Sequence, residues 1–125
     1  MGMFFNRPKR NFRGETPEEE AAREKVEKAR LAQKQAAWRP LRGEELRGAV
    51  KTHLEEELED RLGEKVDYDM NAPLIQYDMD ELDIVELILA FEEIFDVDIP
   101  EHPDYVNWSG NDFFQRIQTA LEATE

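Results

Sequence analysis

Apolar residues recur every fourth position through the middle of the chain: Leu46, Val50, Leu54, Leu58 and Leu62, with Ala49 beside them. This spacing gathers them on one face of a helix over residues 41–62. The opposite face carries Glu55, Glu56, Glu57, Glu59 and Asp60, and Gly63 is placed to cap the C-terminus. A second stripe predicts a helix from an Asp80 cap to Phe95. It contains Leu82, Val85, Ile88, Leu89, Phe91 and Phe95, and Ile84, Leu87 and Ile94 broaden it. That is more apolar surface than a small helix needs for one core, so part of it is expected to face a partner. Ser109 or Asn111 can cap a last helix through Ala123, with Phe113, Phe114, Ile117 and Leu121 pointing inward. A short helical turn is expected near Asp104–Trp108. Residues 64–79, punctuated by Asp67-Tyr68-Asp69-Met70-Asn71 and Pro73, read as a loop.

Upstream the pattern changes. Thr16-Pro17-Glu18-Glu19 is a helix start, with Thr16 as cap, Pro17 at the first position and Glu19 closing a capping box. Glu19–Arg23 and Glu24–Lys28 are spaced four apart with the acid first, the supportive order. The stripe of this helix is thin (Ala22, Val26, Ala29, Ala36), so it has no core of its own, and Trp38 is its one anchor before Pro40 ends it. The expected organisation is a basic flexible tail at 1–15, a charged N-terminal helix at 16–39 and a helical domain at 41–125. The class is all-α.

Charge narrows the function classes. The 125 residues carry a net charge of −14 and are 37% charged. Such a field repels nucleic-acid phosphates and attracts basic protein surfaces. The chain has no cysteine, which excludes disulfides, thiolate metal sites and thiol catalysis. No apolar run is long enough to span a bilayer. Residues 1–14 reverse the sign, with Arg7, Lys9, Arg10 and Arg13 and no acid, and they include Phe4 and Phe5. This start fits a basic tail on a cytoplasmic protein or a presequence for the mitochondrial matrix.

Pro73-Leu74-Ile75-Gln76-Tyr77-Asp78-Met79-Asp80-Glu81-Leu82-Asp83-Ile84-Val85-Glu86-Leu87 resembles the segment that opens the second helix of acyl carrier proteins. The continuation Ile88-Leu89-Ala90-Phe91-Glu92-Glu93-Ile94-Phe95 and the later Asp98-Ile99-Pro100 resemble that family too. The resemblance runs from Leu41 to Leu121. It implies a four-helix bundle, three helices longer and one short, preceded here by an extra helix. Tyr77 and Asp78 stand where the family usually has Leu and Gly. Glu81 stands at the position of the serine that receives phosphopantetheine. A carboxylate cannot form that phosphodiester, so no cofactor is expected at Glu81.

What the resemblance leaves is an acidic docking surface. Nine acids and no Lys or Arg lie between Asp78 and Asp98. The expected partner-binding residues are Asp80, Glu81, Leu82, Asp83, Val85, Glu86, Leu89, Glu92 and Glu93, facing a basic protein surface in a larger assembly. The expected function is therefore a non-catalytic docking or scaffold subunit, with no catalytic and no metal-binding residue. Two alternatives stand beside it. One is an acyl carrier working through an unusual attachment or noncovalent acyl binding. The other is a calcium loop at 67–78, where Asp67, Asp69 and Asn71 have EF-hand spacing but Ala72 replaces the glycine and Asp78 the glutamate. His53 and His102 have no clustered ligand partners, and His53 reads as a packing residue.

Overall fold

The computed structural model describes residues 10–124. Phe4, Phe5, Arg7 and Lys9, on which the reading of the basic start rests, lie outside the described residues. The chain divides into two compact units, Met1–Gln33 and Lys34–Glu125. The described residues form α1 (Pro17–Trp38), α2 (Gly43–Leu62), α3 (Glu81–Phe95) and α4 (Gly110–Ala123). Two 3₁₀ turns, Leu74–Tyr77 and Tyr105–Asn107, complete the order. The class is all-α, as the periodicity predicts.

In the first unit, Asn11 Oδ1 accepts from the N–H groups of Arg13 and Glu15 and so sets the approach to α1. Thr16 Oγ1 accepts from Glu19 N–H at 3.2 Å, the expected cap. Glu19 answers the Thr16 hydroxyl at 3.0 Å. Arg23 therefore turns to Glu15 (2.8 Å) and Glu27 (2.9 Å) instead of the expected Glu19. α1 buries no residue along its length, and Val26 is half exposed.

The core of the second unit lies between α2, α3 and α4. Leu46, Val50, Leu54 and Leu58 of α2, Ile84, Leu87, Phe91 and Ile94 of α3, and Phe113, Ile117 and Leu121 of α4 are all buried. Burying each such side chain is worth about 1.5–3 kcal/mol. Two expected core positions are corrected. Leu62 is 40% exposed, because the exposed Gly63–Lys65 stretch that follows does not cover it. Phe114 is only half-buried, since one helical step turns it from Phe113 toward the flank.

The connection after α2 is more ordered than its polar punctuation implies. Tyr68, Met70, Leu74 and Met79 are buried, and the 3₁₀ turn at Leu74–Tyr77 was not foreseen. The Tyr68 hydroxyl donates to Ala72 O and accepts from Gly110 N–H at 2.7 Å. Burial pushes the Tyr68 phenol up to about 12, so it stays a donor. Asn111 ties the same place, its N–H on Met70 O and its amide on Asn71. A Cβ at Gly110 would lie 2.5 Å from Met70 Sδ and 2.8 Å from Tyr68 Cε2. Glycine is required here for close approach.

The last turn of α1 belongs to the second unit. The Trp38 ring stacks on Phe95 with centroids 6.4 Å apart and meets the His53 ring edge-on. Arg39 donates to the carbonyls of Glu93 and Ile94 at the end of α3. The expected anchor at Trp38 thus packs within the compact unit that begins at Lys34.

Candidate functional site

Asp80 holds the start of α3 through a complete capping box. Its Oδ1 accepts from Asp83 N–H at 2.9 Å, and Asp83 Oδ2 accepts from Asp80 N–H at 2.9 Å. The bond from the Asp83 backbone is the main cause that holds the Asp80 carboxyl below its ordinary range. Asp83 is also engaged by Arg61, 2.9 Å away. The preceding Asp78 adopts a left-handed backbone, φ 65°, and its carbonyl accepts from Arg61 Nε. Glu81, in the first turn of α3, accepts a hydrogen bond from the Tyr105 hydroxyl. This bond, with the desolvation and negative charge beside it, pushes the Tyr105 phenol up.

At the other end of α3, Glu92 Oε2 accepts from Ile99 N–H at 2.9 Å and fastens the loop that follows Asp96. Four of the nine expected contact residues (Asp80, Glu81, Asp83 and Glu92) therefore have structural bonds of their own. The helix remains acidic, but these carboxylates are held by the fold.

The others form a ridge. Leu82 is 64% exposed and Leu89 55%, while Glu86 and Glu93 are exposed between and beyond them. Spacings of four, three and four place Leu82, Glu86, Leu89 and Glu93 on one face. Val85 is half-buried at its border. The core of α3 is centred on Ile84, Leu87, Phe91 and Ile94, so Leu82 and Leu89 are the apolar excess that the stripe contained. Sequence reasoning missed Tyr105 and Arg61 as partners of Glu81 and Asp83. Only the fold brings those elements together.

Behind the ridge, a groove of about 370 Å³ runs between α2 and α3. Glu57 and Asp60 wall it on one side, Asp83 and Glu86 on the other, with His53 and Leu87 also lining it. His53 is only 5% exposed. Its Nδ1 lies 2.9 Å from Lys34 Nζ, which also pairs with Glu56 at 2.7 Å and sits over the Trp38 ring. An ammonium only donates, so Nδ1 is the acceptor and Nε2 carries the ring proton. That Nε2 is buried without a hydrogen-bond partner, with Glu57 Oε1 at 3.9 Å, too far to bond. Burial first, and the Lys34 charge second, lower the His53 pKa to about 3.

In the loop with EF-hand spacing, Asp67 pairs with Lys51, Asp69 Oδ1 accepts from Asn71 N–H, and Asn71 Oδ1 accepts from Asn111. These groups serve separate partners. Among the described residues, no three His, Cys, Asp or Glu side chains gather to hold an ion. Nor is any described helix long and apolar enough to cross a membrane. No family model, curated protein or solved structure matches this chain.

Proposed function

We propose that this protein is a non-catalytic, acyl-carrier-like docking subunit whose α3 ridge receives a basic protein partner. The observation that carries the reading is the alternation along one exposed face of two leucines, Leu82 and Leu89, with Glu86 and Glu93. Exposed apolar side chains of that size supply buried contact, and the flanking carboxylates steer and orient a cationic surface. The left-handed backbone at Asp78 supports the resemblance, because this is the position where the family usually has glycine. Glu81 gives no hydroxyl for phosphopantetheine, and its carboxylate holds Tyr105 instead. The neighbouring groove is walled by acids, which favours a cationic occupant over an acyl chain.

Two measurements test this. Intact mass after incubation with a phosphopantetheinyl transferase and coenzyme A is expected to stay unchanged; a gain of the phosphopantetheine mass would overturn the cofactor-free reading. Affinity purification from the native host is expected to recover a partner with the native chain and lose it with the double variant Glu86→Lys, Glu93→Lys. Equal recovery with both would remove the ridge from the function.

A further inference from the structure

The groove between α2 and α3 combines three features that the ridge does not have. Its walls place Glu57, Asp60 and Glu86 around one space; Arg61 lines it too, but its guanidinium is already engaged by Asp83 and the Asp78 carbonyl. Desolvation, and then the charges of Asp60, Glu56 and Glu86 against the help of Lys34, push the Glu57 carboxyl up. At the inner end, the His53 Nε2–H has no acceptor although it is buried. A buried donor left in that state carries an uncompensated desolvation cost. Glu57 Oε1 stands only 3.9 Å from it, on a side chain that is half exposed.

Resting on the docking reading, we infer that this groove is the subsite for one arginine side chain of the basic partner. The guanidinium would sit among Glu57, Asp60 and Glu86, and its methylene stem would lie along Met79, Leu87 and Ala90. A cation there relieves the mutual repulsion of the carboxylates. Glu57 is then free to close the remaining distance, one oxygen accepting from His53 Nε2–H and the other from the guanidinium. The ligand thereby completes a hydrogen bond that the free protein lacks. Arginine suits the site better than lysine because its planar fork donates to several carboxylates at once and is less strongly hydrated.

The test uses N-acetyl-arginine amide, with the lysine and the neutral citrulline analogues as controls, titrated at low salt and followed by ¹H–¹⁵N NMR. The expected result is a downfield shift and slowed exchange of the His53 Nε2–H, saturable with arginine, weaker with lysine and absent with citrulline. Glu57→Gln and Glu86→Gln are each expected to weaken binding about tenfold, the scale of one charge-assisted hydrogen bond. Three outcomes would overturn the assignment: a His53 signal that does not move, a citrulline response equal to arginine, or lysine binding as tightly as arginine. No partner is present in this titration, so its failure leaves the ridge untouched. Conversely, a ridge that failed the Glu86/Glu93 purification would not prevent the probe from binding the native groove.

Discussion

Gly110 and His53 show how single positions set the properties of the helical unit. At Gly110, the Met70 sulfur and the Tyr68 ring occupy the space a side chain would take. Gly110→Ala is therefore expected to lower unfolding free energy by about 1–3 kcal/mol, the range for overpacking, as read by urea denaturation. At His53 the effect depends on pH. Its folded pKa of about 3 lies below the ordinary value of 6.5, so the neutral ring contributes its full stability above pH 6.5. Between pH 6.5 and 3 the unfolded chain binds the extra proton, and the contribution falls by about 1.4 kcal/mol per pH unit. Thermal melts across that window are expected to show a steeper acid loss for the native chain than for His53→Leu. Parallel curves would assign the acid sensitivity to the carboxylates alone.

The helices of the second unit are fixed by capping devices at their ends. α2 stops at Gly63, whose left-handed backbone sends its N–H to Glu59 O at 2.8 Å. α3 starts in the Asp80–Asp83 box and ends where Asp96 is left-handed and Arg39 caps the last carbonyls. α4 starts at Ser109, whose hydroxyl accepts from Asp112 N–H while Asp112 accepts from Ser109 N–H. Removing that cap with Ser109→Ala is expected to cost about 1 kcal/mol. Because Gly110, Asn111 and Ser109 also close the loop around Tyr68 and Pro73, hydrogen exchange in that loop is expected to quicken in the same variant. Faster exchange confined to α4 would mean that the cap and loop are independent.

For the whole molecule, the division into units changes where the chain can be cut. A fragment of residues 34–125 retains Lys34 on His53, Trp38 on Phe95 and Arg39 on the end of α3. It is expected to unfold with nearly the stability of the full chain. A fragment of residues 41–125 loses all three. Its expected loss is about 2–4 kcal/mol, from the half-buried Trp38 and the newly unpartnered His53 Nδ1. Denaturant midpoints of the two fragments check this; equal midpoints would place the unit's boundary at the end of α1 after all.

The four-residue recurrence from Leu46 to Leu58, the glycine at 63, the cap residues Thr16 and Asp80, and Ser109 or Asn111 as the last cap determined the helices from sequence alone. Their causes are local: backbone periodicity and unsatisfied N–H and C=O groups at helix ends. The acidity of α3 and its excess of apolar side chains were legible for the same reason. Tertiary structure alone decided which acids are committed. Arg61 reaches Asp83 from α2, Tyr105 reaches Glu81 from the second 3₁₀ turn, and Ile99 closes onto Glu92 from the following loop. It also decided that Leu82 and Leu89 are exposed while Val85 is half-buried, and that Tyr68 and Met70 are core residues inside a polar-looking loop. Those facts depend on which segments meet across long stretches of chain, and one-dimensional spacing does not encode that.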